Sequence, residues 1–200
     1  MNALQLRPNG TFTFDEVDVF AGHFSPHFSL RLDQESQQVT SGYPKLDGSS
    51  WQTCLDFYLP DVPEPITLTE SVDKAGADSF SVTYDASHPT GVPSQEMFVQ
   101  MEIPISVASG KSILLDGKPI ELPVDQASGQ LFMDYDLSPH VLVLPSASGT
   151  VTVKGTFRVI VQDQRQWGSD VYSVRLPFEP MGKVLTHEEI QVTLSHTPKS

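Results

Sequence analysis

The segment 161–178 (VQDQRQWGSDVYSVRLPF) holds the densest group of side chains that suit ligand binding. Asp163, Arg165 and Trp167 precede a turn at Gly168, with glutamines between them. An indole stacks on the apolar C–H face of a sugar ring, while planar carboxylate, guanidinium and amide groups bond neighbouring hydroxyls in pairs. These residue types predict a carbohydrate site in which Trp167 stacks and Asp163 and Arg165 bond hydroxyls.

The same residues also suit a structural role. The alternation that ends at Val161 places Asp163 on the inward face at the end of its strand, where it would pair with Arg165 or Arg175. Trp167 would then cap the core. Both interpretations remain open at the level of the sequence.

A second pair of aromatic residues, Tyr43 and Trp51, lies in the turn-rich segment YPKLDGSSWQT. Two exposed rings on such a segment would form a platform for a sugar, so Tyr43 and Trp51 are predicted to contact the ligand as well. The alternative for both is ordinary packing beneath a loop.

The segment Phe20–Phe28 (FAGHFSPHF) combines three phenylalanines with two histidines. Its aromatic rings are a second candidate for a functional loop, and the alternative is a loop folded over the core. No metal site is expected here, because Pro26 breaks the helix that would align His23 and His27 on one ion.

Carboxylate pairs for catalysis are scarce. Glu96 and Glu102 share one face of a strand but lie roughly 20 Å apart, too far for two carboxyls that act on one glycosidic bond. Asp134 and Asp136, two residues apart at about 6.6 Å, have an allowed separation. Nucleophile-elbow and phosphate-loop motifs do not occur, and the only cysteine, Cys54, excludes an internal disulfide and a multi-thiolate zinc site. We therefore expect neither catalysis nor a metal or cofactor.

The charge of the chain restricts its partners. Its 200 residues include 12 Lys and Arg against 25 Asp and Glu, a formal net charge of −13. Such a surface repels phosphate backbones and anionic bilayers, so neither nucleic acid nor a membrane is an expected partner, and a neutral glycan is favoured over an acidic one. No run of eighteen apolar residues predicts a membrane span, and the first ten residues lack the apolar region of a signal peptide.

The elements that must position these side chains are strands. Period-two alternation recurs along the chain, most clearly over Met97–Val107, where every odd-numbered residue is apolar. Pro104 interrupts this run, which predicts a sheet edge or a bulge at that residue. About a dozen such runs are separated by turn residues, and helical periodicity is nearly absent.

Strands of this kind bury one face each. We therefore predict an all-β protein whose residues 1–200 form a single domain, a two-sheet antiparallel β-sandwich of the jelly-roll or extended type. A polar outer face fits this architecture better than a parallel α/β sheet, whose strands are apolar on both faces.

From Ile113 to Phe178, about a third of the chain, the sequence resembles β-sandwich accessory modules that precede catalytic domains in bacterial polysaccharide-degrading enzymes. The similarity is carried by LDGKPIELP at 115–123, GTVTV at 149–153, GTF at 155–157, VQDQRQWG at 161–168 and YSVRL at 172–176. It implies a large antiparallel sandwich like that of the mutarotase-like superfamily, without its catalytic core. A flanking catalytic domain and an extracellular or periplasmic location are also implied.

These observations predict a non-catalytic carbohydrate-associated module, which binds a neutral poly- or oligosaccharide or serves as the accessory domain of a glycoside hydrolase. One alternative is a small β-sandwich hydrolase or lyase that uses Asp134 and Asp136. Another is a structural or adhesive module that contacts a neighbouring domain through the edge near Pro104.

Overall fold

The structure, a computed structural model, describes residues 4–42, 50–178 and 183–199. Within these ranges nearly all regular structure is β, which confirms the predicted all-β class. The strands are β1 (Leu4–Leu6), β2 (Phe12–Phe14), β3 (Val17–Phe24), β4 (Arg31–Asp33), β5 (Gln38–Ser41), β6 (Ser50–Phe57), β7 (Ile66–Gly76), β8 (Ser79–Pro93), β9 (Glu96–Pro104), β10 (Ser112–Leu115), β11 (Lys118–Glu121), β12 (Gln130–Pro145), β13 (Gly149–Asp163), β14 (Val171–Pro177) and β15 (Val184–Pro198).

Helical structure is confined to short turns in the same ranges. One turn of α-helix, α1 (Ile105–Ala108), follows β9, and 3-10 turns occupy Pro26–Phe28, Gln34–Ser36 and Gln164–Trp167. None of these segments has the length or the apolar run that a membrane-spanning helix needs.

The strands pair into one curled antiparallel sheet, with hydrogen-bonded order β1-β2-β3-β9-β14-β13-β15-β8-β7-β6-β5. Off this path, β4 pairs with β3, β12 with β13, and the β10–β11 hairpin with β12. The curl brings the early strands against later ones. Phe12 of β2 meets the Trp51 ring of β6 edge-on at 5.7 Å, and Phe14 meets Phe80 of β8 at 5.8 Å. The apolar faces thus enclose a single hydrophobic core.

Strand β9 shows how alternation builds this core. The odd-numbered residues from Met97 to Ile103 are fully buried in it, as their spacing predicts. The strand β9 as a whole lies inside the sheet, between β3 and β14, but Pro104 itself is paired on the β14 side only. The ladder to β3 ends at Glu102, so the missing N–H of Pro104 interrupts no bond on that side, and α1 begins at the next residue.

Trp51 belongs to the core. It is only 6% exposed and shares the inward face of β6 with Leu55 and Phe57, because residues two apart on a strand point to the same side. The expectation that its indole meets a ligand from an exposed loop is therefore corrected. Tyr43, its predicted partner in an aromatic platform, lies outside the described residues.

Candidate functional site

The face of the sheet opposite the core carries a groove of about 780 Å³. Its walls come from six neighbouring strands, in the order β4, β3, β9, β14, β13 and β12, and from the β3–β4 and β13–β14 connections. Aromatic rings and charged groups both line it. They are Phe24, Phe28, Tyr135, Trp167, Arg31, Asp33, Glu102 and Arg175.

Two segments that are far apart in the sequence meet in this groove. Segment 20–28 contributes Phe24 and Phe28, and segment 161–178 contributes Gln162, Trp167 and Arg175. They come together because β3 and β14 are the two neighbours of β9. Phe28 is 50% exposed, so its ring faces solvent rather than folding over the core.

Phe98 forms an aromatic floor beneath the groove. It is fully buried on the side of β9 that points away from the core, and its ring lies over Gly22 of β3. A Cβ at Gly22 would come within 2.4 Å of that ring, so only glycine leaves room for it. The guanidinium carbons of Arg31 and Arg175 lie 5.4 and 5.6 Å from the ring centroid. Phe98 thereby supports both arginines by cation–π contact.

Arg175 lines the groove and is held there by protein partners. Its Nε forms an ion pair with Oε1 of the buried Glu96, and its Nη1 donates to Gln162 Oε1 at 2.9 Å. Burial raises the pKa of Glu96, and the positive charge of Arg175 offsets only part of this rise. Because its partners fix it, Arg175 presents a preorganised donor to anything in the groove.

Arg31 and Asp33 form a second, more accessible pair. Arg31 Nε donates to Asp33 Oδ1 at 2.8 Å, and both side chains are partly exposed. Among the residues whose structure is described, the terminal nitrogens of Arg31 have no hydrogen-bond partner. Arg31 therefore offers two free NH₂ groups, with four N–H donors, to the groove, next to the acceptor oxygens of Asp33.

Glu102 of β9 adds an acceptor to the groove, close to Arg31 and Asp33. Its Oε1 accepts from Gln100 Nε2 at 2.6 Å. Burial raises the pKa of Glu102, and the nearby carboxylates Asp18 and Asp33 raise it further against the opposing effect of that hydrogen bond. The group can therefore accept or donate a hydrogen bond, depending on its protonation.

Trp167 is the most exposed aromatic ring of the groove, at 58%. It ends the 3-10 turn Gln164–Trp167, and Gly168 stops that turn in the left-handed conformation, with φ of 86°. Gln164 anchors the turn by donating to Ser173 Oγ at 2.7 Å. The indole is thereby presented to the groove from a fixed turn.

Asp163 and Arg165 form a brace behind that turn and do not line the groove. Asp163 is fully buried, and its Oδ2 accepts from Arg165 Nη2 at 2.7 Å and from the Ala127 amide at 2.9 Å. Arg165 also donates to the carbonyls of Pro123 and Val124. The expectation that Asp163 and Arg165 bond a ligand is corrected. Strand alternation points the Asp163 side chain inward, and Arg165 is held in its ion pair with that carboxylate.

The ionisation of Asp163 reflects this arrangement. Burial opposes the charge of the carboxylate, but hydrogen bonds from Arg165 and from the Ala127 amide outweigh it. Together they hold the pKa of Asp163 below its ordinary value. The carboxylate is therefore charged at neutral pH and fixes both the turn and the loop that begins at Pro123.

The other candidates for chemistry lie away from the groove. Asp134 Oδ1 accepts a hydrogen bond from the Asp136 amide at 2.9 Å. Neither aspartate lines the groove, whereas their sequence neighbours Met133 and Tyr135 do. His23 is buried with Nε2 2.9 Å from Ser94 Oγ, and burial lowers its pKa to about 4. Among the described residues, no three His, Cys, Asp or Glu side chains are grouped as a metal ion requires.

Asp15, Ser148 and His196 form a cluster that the sequence did not suggest. Ser148 Oγ donates to Asp15 Oδ1 at 2.8 Å, and His196 Nε2 lies 3.3 Å from that hydroxyl and 3.1 Å from Asp15 Oδ2. A catalytic triad needs its acid on the other ring nitrogen, whereas here one nitrogen meets both partners. The cluster ties the β2–β3 turn to the β12–β13 connection and to β15, so its role is structural.

Sequence reasoning missed Arg31, Glu102 and Tyr135 as groove residues. Alternation in β9 does place Glu102 on the face opposite the core, which was a usable signal. No local sequence pattern indicates that the β3–β4 connection and β4, which carries Arg31, lie beside this face of β9. Their position depends on the pairing of β3 with both β4 and β9.

Comparisons with known proteins assign no family to the chain. No protein-family model matches the chain, and no curated protein is similar to it in sequence.

Proposed function

We propose that this protein is a non-catalytic carbohydrate-associated module that binds a neutral glycan in the groove. One observation carries the proposal: exposed aromatic rings and paired donors and acceptors from distant segments line the same groove. Sugars present an apolar C–H face and a rim of hydroxyls, and this groove offers a surface for each.

The polar groups of the groove suit vicinal hydroxyls. At Arg31 and Asp33, free guanidinium donors adjoin carboxylate acceptors, so one hydroxyl can accept while its neighbour donates. Glu102 and Gln162 supply further acceptors and amide donors on the neighbouring strands. Because Arg175 is already fixed by protein partners, little side-chain entropy is lost on binding there.

The charge balance supports a neutral ligand. Arg31 and Arg175 bring two positive charges to the groove, and Asp33, Glu96 and Glu102 bring three acidic groups. Each guanidinium faces a carboxylate of the protein. Among the described residues that line the groove, no positive charge is left uncompensated for an acidic sugar, in keeping with the net charge of −13.

The architecture proposed with this function is a sandwich, in which the two halves of the curled sheet act as layers around the core. The resemblance to accessory modules supports a flanking catalytic domain and an extracellular or periplasmic location. Under this proposal the groove is the surface that such a module would turn toward the polysaccharide.

The proposal is tested by affinity electrophoresis in gels that contain neutral polysaccharides. We expect the parent protein to be retarded by at least one of them and Trp167→Ala to run as in a blank gel. Tyr58→Ala is the matched control, because Tyr58 is equally exposed at 58% but does not line the groove. Failure of every neutral polysaccharide to retard the parent protein would reject the proposal.

A further inference from the structure

We infer that the groove holds an internal stretch of a sugar chain, several units long, rather than one terminal sugar. This inference rests on the proposed function and specifies its ligand. Two aromatic stations at different levels of the sheet carry it: Phe24 with Phe28 is the first station, and Trp167 is the second.

The register of the strands gives the level in the sheet from which each station arises. Phe24 lies opposite Glu96 of β9, and Phe28 packs edge-on against Phe24 with ring centroids 5.1 Å apart. Trp167 follows the end of β13, where Asp163 pairs with Tyr172, which in turn lies opposite Ile103 of β9. The strand positions from which the two stations arise, Phe24 and Asp163, therefore lie at the levels of Glu96 and Ile103 of β9. These levels are seven residues apart along the backbone, which is on the order of 20 Å at about 3.3 Å per residue.

The groove between the stations is continuous and polar. Arg31 and Asp33 lie next to the first station, since Asp33 pairs with Gly22, two residues before Phe24. Glu102 and Gln162 lie at the level of the second station. Ser173 of β14 pairs with Gln162 on one side and with Glu102 on the other, so all three residues share one level of the sheet. A chain that runs along the strands would therefore meet hydrogen-bonding groups between its two stacking contacts.

Both ends of this path reach solvent. Phe28 is 50% exposed and Trp167 is 58% exposed, so neither station closes the groove. A chain can therefore continue beyond either ring, whereas a pocket for a terminal sugar encloses its ligand on most sides. At about 780 Å³ the groove has room for more than one sugar unit.

The inference is tested by calorimetric titration with a ladder from the monosaccharide to the hexasaccharide, prepared from a polysaccharide that retards the parent protein. We expect affinity to rise with length and then to level off. Phe28→Ala and Trp167→Ala should each weaken the longest ligand roughly ten-fold, the size of one aromatic contact. Both rings are exposed, so circular dichroism should match the parent, and Tyr58→Ala should bind every length as the parent does.

The outcomes separate this inference from the proposed function. A monosaccharide that binds as tightly as the hexasaccharide would reject the extended ligand while leaving carbohydrate binding intact. So would a Phe28→Ala variant with unchanged affinity for every length. If no polysaccharide retards the parent protein, the proposed function itself fails and the extended ligand fails with it.

Discussion

Gly22 shows how a single residue permits the groove. The Phe98 ring crosses β3 at this glycine and carries Arg31 and Arg175 on its face. A methyl group at position 22 would occupy the space of that ring, because the nearest ring carbon would be only 2.4 Å away. The ring would have to move, and the two guanidinium groups with it.

We therefore expect Gly22→Ala to lower the free energy of unfolding by about 1–3 kcal/mol, the usual cost of overpacking. It should also weaken glycan binding, because Arg31 and Arg175 lose their support. Chemical denaturation and affinity electrophoresis measure the two effects. Gly76→Ala is the control, since a Cβ there meets its nearest atom at 3.5 Å and is tolerated. Equal stability of both variants would contradict this description of the floor.

The two tryptophans of the chain differ in environment, and this difference can be measured. Trp51 is 6% exposed and Trp167 is 58% exposed. Acrylamide should quench the fluorescence of the parent protein mainly through Trp167, and a bound glycan should protect that ring. In Trp167→Ala the remaining emission should be quenched weakly with or without glycan. Strong quenching in that variant would show that Trp51 is accessible after all.

At the scale of elements, the Asp163 brace joins the end of β13 to the loop that begins at Pro123. The Asp163 carboxylate accepts from the amides of Ala127 and Arg165 at 2.9 and 3.1 Å. Its removal frees both amides and loosens the 3-10 turn that presents Trp167. The brace thus positions the ring without contacting the ligand.

For Asp163→Asn we expect faster hydrogen exchange at the amides of Ala127 and Arg165, and a loss of affinity smaller than that of Trp167→Ala. Since the pKa of Asp163 is lowered in the folded state, its charge stabilises the protein above the ordinary pKa of 3.8. The stability difference from the parent should therefore shrink as pH falls through and below that value. Asp134→Asn is the control, because that carboxylate accepts one local amide. Unchanged exchange in Asp163→Asn would reject the brace.

Much of each element could be predicted from alternation, and the exceptions have physical reasons. The inward position of Asp163 follows from Val159 and Val161, four and two residues before it. The same parity counted back from Leu55 would have placed Trp51 in the core, but the preceding Gly48, Ser49 and Ser50 indicate a turn. Local turn residues thus concealed the first residues of β6.

The groove could not be predicted, because it depends on which strands are neighbours. Alternation shows that Gln100 and Glu102 point away from the core, and it suggests an exposed polar face. In the structure Gln100 is fully buried on that face, because it lies between Phe20 of β3 and Arg175 of β14 in the paired strands. Pairing between strands distant in sequence leaves no local signal.

At the scale of the whole molecule, a buried polar link holds the curled sheet closed. Gln34 accepts from the Ala21 amide of β3 at 2.9 Å and donates to Glu70 of β7 at 2.9 Å. Tyr84 of β8 donates to the same carboxyl group at 3.2 Å. The link therefore joins β3, which lies near one end of the strand order, to β7 and β8, which lie near the other end.

This link makes stability depend on pH. Burial raises the pKa of Glu70 to about 8, so the folded protein keeps a proton that the unfolded chain releases near 4.5. The stabilisation that protonated Glu70 contributes is fully present below pH 4.5 and is lost as the pH rises toward 8. His23 acts in the opposite sense. Burial lowers its pKa to about 4, so its contribution is complete above 6.5 and is lost as pH falls toward 4.

The two groups together predict the shape of the stability profile. Between pH 4.5 and 6.5 their slopes are opposite, about 1.4 kcal/mol per pH unit each, and cancel. Above 6.5 the Glu70 slope is no longer opposed by that of His23, and the exposed His187, whose pKa Asp85 raises, adds to the loss. The parent should therefore lose on the order of 2 kcal/mol by pH 8, mainly through Glu70. In Glu70→Gln, an amide that binds no proton replaces the carboxyl group, and the loss above pH 6.5 should largely disappear. Urea unfolding at half-unit steps of pH measures both curves. Parallel curves for parent and variant above pH 6.5 would mean that Glu70 is already ionised in the core and that the link closes the sheet as a charged group.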